Sequence, residues 1–496
     1  MREISRRDML QTMVLGGLGM ALRTDLTAAP SSSREKSMGR ILTNLGGQSI
    51  HIKAQIVQEI LERVGFGPTG IMYSMQKLEK SDIRPFRASD FQGKTSLDAS
   101  VGNLKLDGPH DYLHGENSIF QSGQYLASQV YRYRATKSPK ALEQAARAFN
   151  SLELIYRMGE QDGKPGWMGK PYGFRPSVQT SGDQYLGATW GLFMYHEIAP
   201  AAYRKRIEKM IIGFADYWRS VDYIISYFGS TWDQKGEPDS YNAIYAAINA
   251  VAYHFSESPA HLREFEKIMS RGTWTEHTRI SALRDQARTQ LEKTGKAEVI
   301  PYSACFSLAK DLLRPGEFLC WETTIHSKFV IVAMDMIDRV MPQILKGKTS
   351  QIAEMWWREW KYGMGDDFMP YYWFAVNALT DEWRPLPSTK LLPKDKWLFG
   401  DPFTSYISQV RWMDPLARFM VVSAIAARYA PDIRKDARAV AVSMMEHLDW
   451  RRLHWLYDPD GRQLIPETSY YGECLSSEVP ASFLAAHWRG KCDKLW

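Results

Sequence analysis

The sequence holds four cysteines among 496 residues, Cys305, Cys320, Cys474 and Cys492, and none stands in a C-x-x-C spacing. That excludes a structural zinc site of the common kind. There is no G-x-S-x-G, no H-E-x-x-H, no Walker loop and no G-x-G-x-x-G ahead of a helix. Serine hydrolases, zinc proteases and nucleotide-binding enzymes that carry those motifs are therefore set aside, and no cofactor or metal is implied. A block of like charge is also missing. Lys and Arg number 62 against 56 Asp and Glu, for a net charge of +6. Because the cations are scattered, nucleic acid is a poor candidate partner. Beyond residue 22 no apolar run approaches the roughly 20 residues of a membrane span. Strand signals are sparse as well: alternation near 98–106 and 403–411 predicts at most small hairpins, and no βαβ pattern appears.

What is present begins with Ser5-Arg6-Arg7-Asp8-Met9-Leu10 and an apolar stretch from Met9 to Leu22. This resembles a twin-arginine signal, with Thr27-Ala28-Ala29 offering the small residues of a cleavage site. We expect residues 1–29 to be removed on export to the periplasm or medium, 30–39 to be a linker, and 40–496 to form one domain. Removal takes away four Arg and three acids, which leaves about +5 on the mature chain. An oxidising compartment would permit disulfides. Local pairs within 305–320 and 474–492 and four free thiols both remain open.

Between polar, Gly- and Pro-rich loops the chain repeats a helical period. Ala141, Ala145, Ala148, Leu152 and Ile155 recur at steps of four and three, and so do Tyr203, Ile207, Met210, Phe214 and Trp218. Ile244, Ile248, Val251 and Phe255 follow, then Phe329, Val332, Met336 and Val340, then Ala437, Val440, Met444 and Leu448. Each set lies on one stripe of a helix. Grouped by loops, the helices predict six or seven hairpins: 50–64 with 117–135, 138–158 with 183–197, 201–228 with 239–256, 259–292, 321–345 with 351–362, 368–379 with 416–429, and 433–449 with 478–488. The spacing is too irregular for a short-period solenoid. The fold class that fits is mainly all-α, an (α/α)6-type toroid with a few short strands in loops. The long loops 98–116, 159–182, 295–320, 380–402 and 456–473 read as walls of a cleft.

One segment carries a family likeness: Thr180-Ser-Gly-Asp183-Gln184-Tyr185-Leu-Gly187-Ala-Thr-Trp190-Gly191-Leu192. It resembles the six-hairpin glycosidase superfamily, whose inner helices often start with an acid and an aromatic and continue with small residues facing the axis. Similar starts occur in unsaturated uronyl hydrolases. The resemblance extends to the helical plan of 40–490 and implies a sugar-cleaving enzyme with Asp183 at the mouth of the ring. Read without it, Asp183 lies where a polar loop meets an apolar helix, the place of an N-cap. A carboxylate there can both cap and face a cleft.

Acids recur at other helix starts. Glu116 precedes one helix and Asp239 another, Glu322 follows Trp321, Asp366 and Asp367 precede an aromatic run, and Glu473 follows Tyr471 and Gly472. In a toroid such starts converge on one end of the axis. Glycoside hydrolysis needs two carboxyl groups, about 5–5.5 Å apart for retention or 6.5–9.5 Å for inversion. Asp183 is the first choice, with Asp239, Glu322 and Glu116 competing for the second role. Trp167, in a Gly-rich loop, and Tyr185, Trp190, Tyr241 and Tyr471 are candidates to stack on sugar. Lys170, Arg175 and His114 are candidates to hold a uronate, and Asn242 to hydrogen-bond it.

Three readings follow. The first is an exported glycoside hydrolase acting on a polysaccharide or oligosaccharide, with uronic acid among its sugars. The second is a polysaccharide lyase, for which His114, Asn117, Tyr241, Asn242 and Arg175 supply a base and neutralising groups. The third is a carbohydrate-binding protein without catalysis. The expected partner is a carbohydrate; oligomeric state is left open.

Overall fold

The computed structural model describes residues 45–79, 82–91, 100–101, 104–227, 230–235, 239–297, 313–321, 324–365, 368, 371, 373–386, 414–449 and 474–496. Six helices form a closed inner ring: α3 (Ser118–Thr136), α5 (Gly182–His196), α7 (Ser240–Ser256), α10 (Thr324–Val340), α12 (Asp414–Tyr429) and α14 (Glu478–Cys492). Each packs on the next, and α14 returns to α3. Six more lie outside them: α1 (Ile50–Val64), α4 (Pro139–Gln161), α6 (Ala201–Ser220), α8 (Pro259–Arg271), α11 (Thr349–Arg358) and α13 (Arg434–His447). The expected mainly all-α toroid is therefore the fold. A short helix α2 (Pro109–Gly115) precedes α3, and α9 (Arg279–Thr294) lies between α8 and α10 in sequence.

The two layers differ because their sequences differ. Outer helix α4 buries the Ala141, Ala145, Ala148, Leu152 and Ile155 stripe and leaves most of its charged residues, Glu153 excepted, outside. Inner helix α3 is buried continuously from Ser118 to Tyr131. Small residues make that possible. A Cβ on Gly123 would overlap the carbonyl of Gly187 in α5, and one on Gly187 would stand 2.6 Å from the Cα of Phe120. The small residues of the 180–192 segment thus let α3 and α5 touch, a different use from the axial one their family likeness implied.

Several pairings were misread: α1 packs chiefly on α14, and α13 chiefly on α12. The segment 259–292 does not pair with itself: α8 packs on α7, and the inner helix that follows it is α10. Within 368–379 lies strand β8 (Trp373–Asn377), between β7 (Glu317–Trp321) and β9 (Trp383–Pro385). Bulky Trp, Phe and Val in that run favour a pleated surface over a helix. The 98–106 stretch does form a small hairpin, β3 (Ser100–Val101) with β4 (Leu104–Lys105), while 403–411 lies outside the described residues. Ring closure is reinforced by β10 (Cys474–Ser476), which pairs with β1 (Met75–Leu78), itself paired with β2 (Ile83–Arg84).

Buried polar groups mark the two ends of the ring. Near the inner-helix C-termini, Arg489 grips Asp335 with bonds of 2.8 and 2.9 Å, and Tyr131 and Tyr429 complete the cluster. Early in the same helices, Lys328, Arg418 and Glu478 meet. Gln124 of α3 joins this second level through Lys328, so residues from the same four helices share each level, and these helices run parallel with their N-termini at one mouth. Cys320 and Cys492 are free thiols, so neither local disulfide forms. No helix of the described residues is long and apolar enough to cross a membrane.

Candidate functional site

Asp183 sits in the first turn of α5, half-buried. It is not the cap: Ser181 holds that position, and its hydroxyl donates to one Asp183 oxygen while Gln184 Nε2 donates to the other at 3.0 Å. The same Gln184 amide donates to Asn117 Oδ1 at 3.1 Å, which ties the starts of α3 and α5 together. A second latch holds this turn from the other side. Gly182 N–H donates to Gln234 Oε1 at 2.9 Å, and the Tyr245 hydroxyl donates to the same oxygen. A Cβ at Gly182 would lie 2.9 Å from the Tyr241 ring. The site around Asp183 is thus shared by α3, α5 and α7.

Asp239 stands at the N-cap position of adjacent α7 but makes no capping bond with its side chain. Asn242 and Thr273 donate to its carboxylate at 3.0 and 3.2 Å. Burial pushes its carboxyl upward, opposed by those bonds. Asn242 therefore steadies Asp239; its Nδ2 also reaches the Lys235 carbonyl at 3.3 Å.

Several predicted residues are placed otherwise than expected. Glu116 is shut away from solvent, with Lys170 Nζ at 2.7 Å and the Tyr172 hydroxyl at 2.5 Å. That pair pins the 159–182 loop to the start of α3, so neither partner faces a cleft as an open acid or a uronate anchor. His114 is buried, bonds the Phe86 carbonyl at 3.0 Å and stacks on Phe174. Burial and nearby His110 bring its pKa down to about 3, so it is neutral and unsuited to holding a carboxylate. Arg175 is bonded to Asp111 at 3.0 Å.

The aromatics are corrected in the same way. Trp167 is buried against Tyr217, with its indole N–H donating to the Ser177 carbonyl at 3.3 Å. Tyr185 is buried between Phe214 and Trp218 and accepts from Met168 N–H at 2.7 Å. Trp190 is buried in α5. All three build walls instead of offering faces, because a large ring contributes most when its whole surface leaves water. Tyr241 lies at the mouth but is buried as well, edge-on to Trp232 and Phe329. Glu322, Asp366, Asp367, Tyr471 and Glu473 lie outside the described residues.

Other groups at this end were missed. Strands β5 (Ile224–Tyr227) and β6 (Ser230–Asp233) form a hairpin just before α7. It brings half-exposed Tyr227 and Trp232 together, with ring centroids 5.6 Å apart. The alternation Ile224-Ile225-Ser226-Tyr227 was the available signal; it was absorbed into the helical reading of 201–228. Deeper in the ring, Arg418 clasps Glu478 with bonds of 2.9 and 3.0 Å, and Lys328 reaches the same carboxylate at 2.9 Å. Arg418 and Lys328 hold the Glu478 carboxyl well below the usual range despite its burial. His326 pairs with Ser240 Oγ at 2.7 Å. Burial, with Arg279 and Arg418 nearby, keeps that imidazole neutral. Lone charges inside helical stripes read as surface residues in sequence, so only the closed ring reveals this cluster. Among the described residues no group of His, Cys, Asp and Glu could hold a metal ion.

No family model and no curated protein matches the sequence. Two solved structures share its course distantly. One is the Lin0763 protein from Listeria innocua, at 11% identity over 89% of this chain and 97% of that one, with a TM-score of 0.44. The other is a D-mannose isomerase, at 10% identity over 95% of this chain and 100% of that one, also with a TM-score of 0.44. Likeness at this level carries no argument about chemistry.

Proposed function

We propose that this chain is a carbohydrate-processing enzyme, a glycoside hydrolase in which Asp183 and Asp239 are the working carboxyl groups. The observation that carries the proposal is the state of Asp183: half-exposed at the mouth of the ring and, among the described residues, hydrogen-bonded only by the neutral donors Ser181 and Gln184. Glu116, by contrast, is locked under Lys170. Asp239, on the next inner helix, has a carboxyl that burial favours in its protonated form. Two carboxyl groups at the starts of neighbouring inner helices, one of them pushed upward by burial, supply the pair that glycoside hydrolysis needs. The Arg6-Arg7 segment supports export by the twin-arginine route.

A second reading rests on His326. A neutral imidazole with Arg279 and Arg418 nearby suits proton abstraction next to a carbonyl or carboxylate, as in a lyase or a sugar isomerase. One screen separates the two. The full chain is incubated with neutral and uronic-acid polysaccharides and with free aldoses. New reducing ends without near-ultraviolet absorbance support hydrolysis. Absorbance from a conjugated double bond, or ketose formation, supports the second reading. No turnover on any of them overturns both.

A further inference from the structure

The β5–β6 hairpin carries a feature that the carboxylate chemistry does not use. Its residues alternate in direction: Ile225, Tyr227 and Trp232 share one face, while Ile224, Ser226, Thr231 and Asp233 point the other way. The contacts settle which face looks inward. Lys170 Nζ lies 5.2 Å from the centroid of the Tyr227 ring and 3.3 Å from its hydroxyl, and Trp232 meets Tyr241 edge-on at 5.4 Å. Ile225, at the base of that face, is buried, whereas Tyr227 and Trp232 remain half-exposed. Two large rings are thus left partly wet side by side on an inward face.

The hairpin is also fixed relative to the proposed catalytic turn. Gln234 follows β6 directly, and its side-chain oxygen takes the N–H of Gly182, the residue before Asp183. Trp232 leads to Tyr241, whose ring lies against Gly182. The buried Glu116–Lys170 pair braces Tyr227 from the loop side. Rings, latch and carboxylate therefore form one rigid unit, and the brace explains what the buried ion pair is for.

We propose that Trp232, backed by Tyr227, is a sugar-binding platform that stacks on a pyranose ring next to Asp183. A pyranose presents a flat array of C–H groups on one face, the partner that an indole face accepts, while its hydroxyls stay directed to water and polar side chains. The platform is a binding residue, not a catalytic one, and it rests on the carbohydrate reading given above.

The test measures binding apart from turnover. The full chain is titrated calorimetrically with cellohexaose, mannohexaose, xylohexaose and oligogalacturonate, in the wild type and in Trp232→Phe and Trp232→Ala. Stacking predicts that Trp232→Phe stays within about threefold of wild-type affinity, while Trp232→Ala weakens it at least tenfold. Protein labelled with 5-fluorotryptophan gives a second measurement that does not depend on the Ala variant folding. The resonance absent from Trp232→Phe should shift when the glycan is added to the wild type. Equal affinity of the wild type and a folded Trp232→Ala, an unmoved resonance at saturation, or no binding to any of the four glycans overturns the platform. A chain that binds through Trp232 and cleaves nothing retains the platform and removes the hydrolytic reading.

Discussion

The ammonium of Lys170 lies 2.7 Å from a carboxylate oxygen of Glu116, and neither side chain reaches solvent. Breaking a buried pair leaves one charge without its counterion, a loss typically of about 3–5 kcal/mol. Lys170→Met should therefore lower the urea midpoint strongly, since the buried Glu116 would lose its counter-charge while keeping the Tyr172 bond. Lys170→Met with Glu116→Gln should recover part of that loss. If the double variant is no more stable than the single one, the pair is not what holds the loop.

Asp183→Asn tests the proposed chemistry directly. Because Ser181 occupies the cap position, the change removes a charge from the first helical turn and no capping bond. The expected stability change is about 0.3–1 kcal/mol from the helix dipole. Turnover should fall by roughly 10²–10⁴, the usual worth of a positioned proton-transfer group. Near-normal kcat on a confirmed substrate would remove Asp183 from the proposed pair.

Glu359 makes stability depend on pH. Burial pushes its carboxyl up to about 7, and one of its oxygens has no hydrogen-bond partner among the described residues. Between the unfolded value near 4.5 and 7 the folded state holds the extra proton, so stability declines as pH rises through that window. Glu359→Gln removes the penalty on the charged form. It can still accept from Ile280 N–H, which now bonds Glu359 at 3.0 Å. The variant should gain stability relative to wild type at pH 8, on the order of 2–3 kcal/mol at most, and lose that advantage at pH 4. Thermal melts at the two values decide it; a pH-independent difference would contradict the assignment.

Gly123→Ala sets two effects against each other. Ala is better than Gly by about 1 kcal/mol in a helix interior, but its Cβ would overlap the Gly187 carbonyl across the α3–α5 contact. Backbone cannot rotate aside as a side chain would, so overpacking of about 1–3 kcal/mol or more should win. A lower melting temperature is expected. An unchanged or higher one would mean that the two helices are not held at this distance.

Helical periodicity is local, so the stripes at 141–155, 203–218, 244–255 and 329–340 were legible in the sequence. The absence of βαβ alternation was equally legible, and together they specified a mainly helical toroid. Asp183 could be placed at a helix start for the same reason: a polar, Gly-containing loop meeting an apolar run is visible within about ten residues. Which helix pairs with which after residue 259 was not visible, because α9 carries a helical pattern but joins neither layer of the ring. Nor could the sequence separate Glu116 from Asp183, since both are acids near helix starts. Only closure of the ring decides that Glu116 lies under Lys170 and Tyr172 while Asp183 keeps an open side. Burial and partnership are sums over residues far apart in the chain. For that reason the tertiary structure alone buried Trp167, Tyr185 and Trp190 and left Tyr227 and Trp232 beside the mouth.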